Sequence, residues 1–524
     1  MLKKIFNIAG PCNSSEHYML DPLRNIGEEV MDLIDSKHYF VIHSARQSGK
    51  TTFLWDFVDK IESEGKYYAL YCSLEGVQEL IEPERGIPAI VKSIKAALND
   101  HNMPEGFAEN ADNSDITNVL RTSLSAYCRT LDKPLIILFD EADCLANGTL
   151  ITFLRQLRNG YINRPRVPFV HSLALVGMRN IRDYKASIRD DSATLGSASP
   201  FNIVKETFTL PAFTRSEISE LYSQHTAETG QFFEPQAVDH IFAQTQGQPW
   251  LVNAIARESV EKILRKDYSK PVTAEIAEQA ISNIILARGT HFDSLIERLK
   301  EERVRKVIQP LILGGEVIDK TSDDYLYTRD LGLIRELGSA VEPANKIYAE
   351  IIIRILSQGV QDSVRSDYKD YEVPRYMKNG KIDMDFLVKD FQEFWRENSE
   401  IWIDRYKKDL YQYDEAAPHL VFQGFLQRVI NGGGHVVREM ALGTRRADLC
   451  VVYDGHKYPI ELKILRNSRS VSEGLEQLSA YMDKCGTSEG WLVVFDRAAD
   501  KSWDEKLYMR PEEHQGKRIT VVGA

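Results

Sequence analysis

Two groups of residues in this chain have the types and spacing that chemistry needs. The first is SARQSGKTT, Ser44 to Thr52. The backbone N–H groups of Ala45, Arg46, Gln47, Ser48 and Gly49 can wrap a phosphate, and Lys50 can reach the β- and γ-phosphates. Thr51 offers a hydroxyl to Mg²⁺, and Thr52, beside it in the first turn of the helix that follows, is expected among the nucleotide-binding residues. Ser44 stands where the usual pattern has its first glycine. The second half of this group is LIILFDEAD, Leu135 to Asp143. Asp140 would hold Mg²⁺ through water, and Glu141 would orient and deprotonate the attacking water, with Asp143 the next acid along.

The elements around these residues follow from hydrophobic periodicity. Tyr39–His43 is a short apolar run that reads as a buried strand, and 53–61 has the apolar spacing of a helix. Strand, loop, GKT and helix make a P-loop. Lys66–Ser73 is a second strand, and 87–130 reads as helices around a polar insertion near 99–115. The all-apolar run at 135–139 suits a parallel strand covered on both faces. His171–Val176 is a further strand ending in GMRN, where Arg179, or else Asn180, is the candidate for facing the γ-phosphate. The DEAD spelling at 140–143 has no accompanying helicase motif set and is incidental. The fold class expected is α/β, a doubly wound parallel sheet with its site at the carboxyl edge.

A helix is expected from Pro22 to Asp35. Ahead of it, Tyr18 is a candidate cover for an adenine base, with core packing the favoured role. After Phe213 the strand signals stop. Thr214 and Glu217 form a capping box, and in TQGQPWLV Gly247 ends one helix and Pro249 starts the next. This helical block reads as a lid over the nucleotide.

These pieces resemble the AAA+-related, STAND-like ATPases, including the archaeal-type group. The resemblance covers residues 1 to about 360 and rests on GKT, LIILFDEAD, the strand-end Arg179 and the GQP of the lid. It implies ATP and Mg²⁺ as cofactors, an ATPase domain at 1–212, a lid at 213–287 and a winged helix at 288–360. In that family the wing packs on the lid and senses the nucleotide. Glu336 and Glu342 near the expected hairpin favour that role over DNA binding. Hydrolysis in such proteins draws on an arginine from a neighbouring subunit or from the closed lid. Arg155, Arg158 and Arg179 are the candidates, so a homo-oligomer is an expected partner. Residues 361–410, charged and tyrosine-rich with a helix near 385–397, read as a connector.

The second chemical group lies in 411–524. A helix over 417–430 is stopped by Gly432–Gly434, and strands follow over 435–440, through ADLCVVYD and through YPIELKI. Asp448 heads one strand, while Glu461 and Lys463 lie two apart on the next and therefore share a face. Two carboxylates and the carbonyl of Leu462 suit Mg²⁺ or Mn²⁺, and Lys463 would orient water or stabilise a pentavalent phosphate. A helix over 471–483 puts Gln477 and Tyr481 four apart, and the strand Trp491–Phe495 is expected to close the sheet. This arrangement resembles the PD-(D/E)XK nuclease superfamily through Asp448, Glu461-x-Lys463 and Gln477-x-x-x-Tyr481. Many such nucleases carry a further acid on the first helix. Gln423 occupies that helix here, with Glu415 and Glu439 as substitutes. The competing reading is a sheet salt-bridged through Lys463.

Composition bounds the rest. The 524 residues are 43% hydrophobic and 27% charged, with a net charge of −12. That is ordinary globular composition. No apolar run approaches the roughly 18 residues of a membrane span, and 1–10 lacks a signal-peptide core, so a cytoplasmic location is expected. The six scattered cysteines form no C-x-x-C pair and read as reduced thiols. Local basic faces at Arg155–Arg189 and at Arg438, Arg445 and Arg446 can act inside an acidic chain, since screening sets in beyond about 8 Å. The reading is an ATPase whose nucleotide state controls a metal-dependent nuclease acting on nucleic acid, DNA favoured. The alternative is a nucleotide-switched signalling scaffold with a non-catalytic nuclease-like domain.

Overall fold

The structure, a computed structural model, describes residues 3–108, 115–178, 203–287, 295, 297–312, 319–338, 340–356, 373–409, 416–430, 434–437, 449–465, 469–496, 498 and 501–524. The chain divides into two compact units. The first is Met1–Arg288 with Asp319–Arg335, and the second is Gly289–Ile318 with Glu336–Ala524. The stretch expected to form one winged helix is thus shared between them.

The first unit is built on five parallel strands: β1 (Tyr39–His43), β2 (Tyr68–Ser73), β3 (Leu135–Asp140), β4 (Ser172–Gly177) and β5 (Val204–Thr209). Their order is β2-β3-β4-β1-β5. Strands β1, β3 and β4 are buried at every position, as a sheet covered on both faces requires. Alternate residues serve opposite layers. Phe40, Ile42, Ile136, Leu138 and Val176 pack with α1 (Gly27–Asp35) and α2 (Lys50–Ser63). Val41, Ile137, Phe139 and Leu175 pack with α3 (Pro83–Asp100), α4 (Val119–Thr130) and α5 (Asn147–Asn163). The helix expected from Pro22 starts later, at Gly27, because 22–26 is taken up by turns.

β5 has no counterpart in the sequence reading. Its run VKETFT is only partly buried at the sheet edge, with Lys205 and Glu206 exposed, so it lacks the continuous apolar signal. Helices Arg215–Thr229, Pro235–Thr245, Pro249–Arg257 and Ala274–Ala287 follow, with a π-helical turn at Glu258–Ile263. The Thr214–Glu217 capping box is present: Glu217 N–H donates to Thr214 Oγ1 (3.2 Å) and Thr214 N–H to Glu217 Oε2 (2.7 Å).

The second unit contains a six-stranded mixed sheet. Two short hairpins precede it in the chain, β6 (Ile334–Leu337) with β7 (Ala340–Pro343) and β8 (Met377–Lys378) with β9 (Lys381–Ile382). The sheet runs β10 (Gly434–Val437), β11 (Leu449–Tyr453), β12 (His456–Ile464), β13 (Glu489–Phe495), β15 (Lys517–Gly523), β14 (Tyr508–His514). β12, β13 and β15 are parallel neighbours and the remaining pairs are antiparallel.

Two expectations are corrected here. The strand at 491–495 does not close the sheet. A hairpin beyond it adds β14 and β15, turning at Gln515 and Gly516, both at positive φ, as a two-residue type I′ turn requires. The described part of 361–410, residues 373–409, is not simply a connector either. The helix Met384–Asp409 buries Leu387, Val388, Phe391, Phe394 and Trp395 in one core with Phe422 and Phe425 of helix Ala416–Ile430 and with the sheet. The 3.6-residue apolar spacing of 387–395 carries that packing.

Candidate functional site

β1 delivers the chain to a loop whose backbone turns at Gln47 (φ +56°) and Gly49 (φ +92°) before α2 begins at Lys50. A side chain at Gly49 would meet nothing nearby, so its need for glycine is conformational. Ser48 Oγ donates to Ala45 O (2.8 Å). Lys50 Nζ donates to Ser44 O and Ala45 O, both at 2.9 Å. Burial lowers the Lys50 pKa, opposed by the nearby acids Glu141, Asp143 and Asp140. Ser44 replaces the usual glycine without crowding the loop: its N–H donates to Gly177 O (3.1 Å) and its hydroxyl to Leu210 O (3.4 Å). Thr52 Oγ1 accepts the backbone N–H of Cys12 (3.0 Å), which ties the opening segment of the chain to the first turn of α2.

β3 ends beside this loop, although β4 lies between β1 and β3 in the sheet. Period-2 alternation sets Asp140 on the α2 face with Ile136 and Leu138. Its carboxylate is almost fully buried and held by three donors. Thr51 Oγ1 (3.1 Å) and the Tyr71 hydroxyl (3.0 Å) donate to Oδ2, and Glu141 N–H donates to Oδ1 (2.9 Å). Burial raises the Asp140 pKa against these bonds, and it keeps the Tyr71 phenol protonated. Sequence reasoning missed Tyr71. KYYALYCS and LIILFD put Tyr71 and Asp140 on one face only through the long-range parallel pairing of β2 with β3, Ser73 opposite Asp140.

Glu141 sits at φ +53°, a left-handed position that turns the chain out of the sheet. Burial, then Asp143 and Asp140, raise its pKa, which suits a group meant to accept a proton. Asp143 is engaged elsewhere, since its Oδ2 accepts Met178 N–H (3.2 Å) at the end of β4. Arg179 and Asn180 lie outside the described residues.

The rim is completed by other elements of the same unit. Gln248 Nε2 donates to Gln47 O (3.4 Å) and Trp250 Nε1 to Ile8 O (2.8 Å). A methyl group at Gly332 would lie 2.4 Å from Ala45 Cβ, so this close approach admits only glycine. Next to Gly49 and Thr52 is a cleft walled by Met19, Pro22, Phe213 and Pro249 among others. Its largely apolar walls suit the face of a nucleobase. Tyr18 borders it but is a core residue, packed against Phe6 and His225 with its hydroxyl donated to Glu228.

The donor set fits Mg²⁺. Thr51 and Asp140 supply two hard oxygens, and a cation that keeps several waters and takes phosphate oxygens needs few protein ligands. Among the described residues no group of three or more His, Cys, Asp or Glu is arranged to hold a metal by itself.

Residues 15–353 match the family model of the AAA-like domain. The chain belongs to that family. Residues 370–499, on the C-terminal side of the AAA-like domain, match a domain of unknown function (DUF8371). Among solved structures the chain is similar to the Walker-type ATPase PABY2304 of Pyrococcus abyssi, with 12% identity over 66% of this chain and 99% of that one and a TM-score of 0.48. It is also similar to Cdc6p from Pyrobaculum aerophilum, with 15% identity over 68% and 97% and a TM-score of 0.37. A third is the Thermotoga maritima RuvB Holliday junction branch migration motor, with 13% identity over 63% and 94% and a TM-score of 0.33. No curated protein matches the chain.

Outside the AAA-like domain, the structure brings together Glu461 and Lys463. Glu461 is fully buried, and Lys463 Nζ lies 2.9 Å from its Oε1. Both face helix Arg469–Cys485, where Gly474 leaves room for Leu492 and the lysine: a Cβ there would lie 2.7 Å from Leu492 Cδ1 and 3.1 Å from Lys463 Cγ. Leu462 points to the opposite face, into the core with Ile460 and Val493. Gln477 and Tyr481 are on that helix. Tyr481 is buried, and Gln477 Oε1 is buried with no hydrogen-bond partner among the described residues. Gln423 is buried on helix Ala416–Ile430. The last described β11–β12 pair is Leu449 with Ile460. Asp448, Glu415 and Glu439 lie outside the described residues, as do Arg438, Arg445 and Arg446.

Proposed function

We propose that this protein binds ATP with Mg²⁺ and hydrolyses it, and that its nucleotide state governs the C-terminal region. The observation that carries the reading is the convergence on one point of Lys50, Thr51 and Asp140, from the P-loop and from β3. Lys50 would give up its two carbonyl partners for phosphate, a stronger charge-assisted bond. Thr51 would take Mg²⁺ directly and Asp140 through water. The cation would supply neutralisation of phosphate charge. Glu141 would orient the attacking water and take its proton, and its raised pKa favours that transfer. An arginine from a second copy or from the closed lid would complete the site, with Arg155 and Arg158 on α5 the candidates among the described residues.

For residues 411–524 we propose a PD-(D/E)XK-type nuclease centre using Asp448, Glu461, the Leu462 carbonyl and Lys463 with Mg²⁺ or Mn²⁺, acting on DNA or RNA. The succession helix 416–430, β10, β11, β12, helix 469–485, β13 supports it, as does a fully buried Glu461 two residues from Lys463. The 2.9 Å pair between these two favours the second reading, a nucleotide-switched scaffold whose sheet is salt-bridged. The test is incubation of the full chain with DNA and RNA panels, with and without ATP, in Mg²⁺ or Mn²⁺. Metal-dependent cleavage that changes with ATP supports the nuclease. ATP turnover without cleavage of any substrate selects the scaffold.

A further inference from the structure

We infer that Tyr71 is a positioning residue for the Asp140 carboxylate and so sets how tightly the P-loop site takes its divalent cation. The inference rests on the P-loop reading above and adds a residue that the motif does not contain. Tyr71 reaches Asp140 from the neighbouring strand. Its partner across the β2–β3 ladder is Leu138, and Ser73 faces Asp140, so the phenol and the carboxylate share the α2 face of the sheet.

The hydroxyl donates to Oδ2 at 3.0 Å, the same oxygen that Thr51 reaches at 3.1 Å. The three donors on this carboxylate are not equivalent. Glu141 N–H fixes Oδ1 and belongs to the backbone. Thr51's oxygen is the one a bound cation claims. The phenol has no such second duty, so it is the donor that can hold Oδ2 in place whether or not a cation is bound.

The phenol is itself held. Trp55 lies one turn along α2 from Thr51 and meets the Tyr71 ring edge-on, with centroids 6.3 Å apart at 86°. The His101 ring is also near, with centroids 6.4 Å apart at 48°. A donor set among these rings orients the carboxylate that holds the cation's water in the way outer-layer partners orient metal sites, and losing such a partner typically costs about 10–100-fold in metal affinity.

The experiment uses the full chain and a fluorescent ATP analogue, titrated with Mg²⁺ from an EDTA-treated start. Tyr71→Phe keeps the ring and removes only the hydroxyl. Its affinity for the analogue without Mg²⁺ should match wild type, while the Mg²⁺ concentration giving half of the metal-dependent response should rise about tenfold. Mn²⁺ binding followed by electron paramagnetic resonance should weaken by the same factor. Trp55→Leu, which removes the brace and leaves the hydroxyl, should shift the Mg²⁺ midpoint in the same direction by a smaller factor. A Tyr71→Phe midpoint equal to wild type, with melting unchanged, would overturn the inference and leave the P-loop reading standing. A wild type that binds no nucleotide would bring down both.

Discussion

The P-loop site and the Glu461–Lys463 pair use the same ingredients, a lysine and a buried strand carboxylate, and arrange them oppositely. At the P-loop the charges are kept apart. Lys50 is held by two neutral carbonyls and Asp140 by neutral or backbone donors, so neither neutralises the other. On β12 the lysine is already 2.9 Å from its carboxylate. Charges held by neutral groups are poised for a third charged body. Charges already paired need a reason to separate. The first site therefore reads as built for a ligand from its own geometry, while the second becomes a metal site only if the cation outcompetes Lys463.

The sharpest way to break this contrast is Glu141→Gln, which keeps shape and removes the base. ATP turnover should fall by about 10²–10⁴ with binding retained, read as phosphate release against analogue binding in the same preparation. Undiminished release would move the base elsewhere, and Asp143, already engaged by Met178 N–H, is a poor replacement.

Next is Lys50→Ala. Removing a charge poised against phosphate should weaken ATP binding by about 100-fold, the scale of a lost charge-assisted contact. Equal affinity in wild type and variant would mean that Lys50 is only a loop strut.

The third prediction turns to β12. Lys463→Met leaves Glu461 buried beside an uncharged side chain. It should cost about 2 kcal/mol, less than the loss of a fully buried pair because the lysine is partly exposed. Calorimetric unfolding reads this. The double variant Glu461→Gln with Lys463→Met should recover most of the loss if the pair is purely structural. If the site takes a cation, Mg²⁺ or Mn²⁺ should instead raise the wild-type melting temperature and leave Glu461→Gln unmoved.

The smallest effect concerns pH. Burial lowers the pKa of His225, which is hydrogen-bonded to Gln231 (2.9 Å) and approached by Tyr18, with Glu228 and Lys3 the nearby charges. His43 and His171 are lowered by burial too. The unfolded chain then binds more protons than the folded one, so their contribution is present above the ordinary histidine pKa and is lost as pH falls below it. Between pH 7.5 and 5.5 the first unit should therefore lose stability, the more buried His225 and His43 contributing more than His171. His225→Gln should flatten part of that slope. A melting temperature independent of pH over this range would count against buried neutral imidazoles.

What could be read in the sequence was local. GKT between an apolar strand and an amphipathic helix, and LIILFD ending in acids, are patterns within a dozen residues, and the elements they predict are present. The strand order was not legible, because the insertion of β4 between β1 and β3 is a long-range pairing. β5 was missed because an edge strand needs no continuous apolar run. Tyr71 was missed because its importance comes from a neighbouring strand's register. The Met384–Asp409 helix looked like a connector because its charged face dominates the composition, while Phe391 and Trp395 decide its packing.

The opening segment of the chain has a consequence for the order in which the protein is made. Lys4 N–H bonds to the Glu228 carboxylate, Ile8 O accepts from Trp250, Met19 exchanges two hydrogen bonds with Gln224, and Cys12 N–H is tied to Thr52. Residues synthesised first thus find most of their partners only as residues 224–250 leave the ribosome, roughly 10–50 s later at ordinary elongation rates. The strand that carries the P-loop pairs with β4 and β5, so it can join its sheet once residue 209 has emerged, whereas the cleft beside Gly49 still lacks Leu221, Pro249 and Asn253. The nascent ATPase core therefore passes through a stage in which its phosphate loop exists and its base pocket does not, and a nucleotide met at that stage would be held by its phosphates alone.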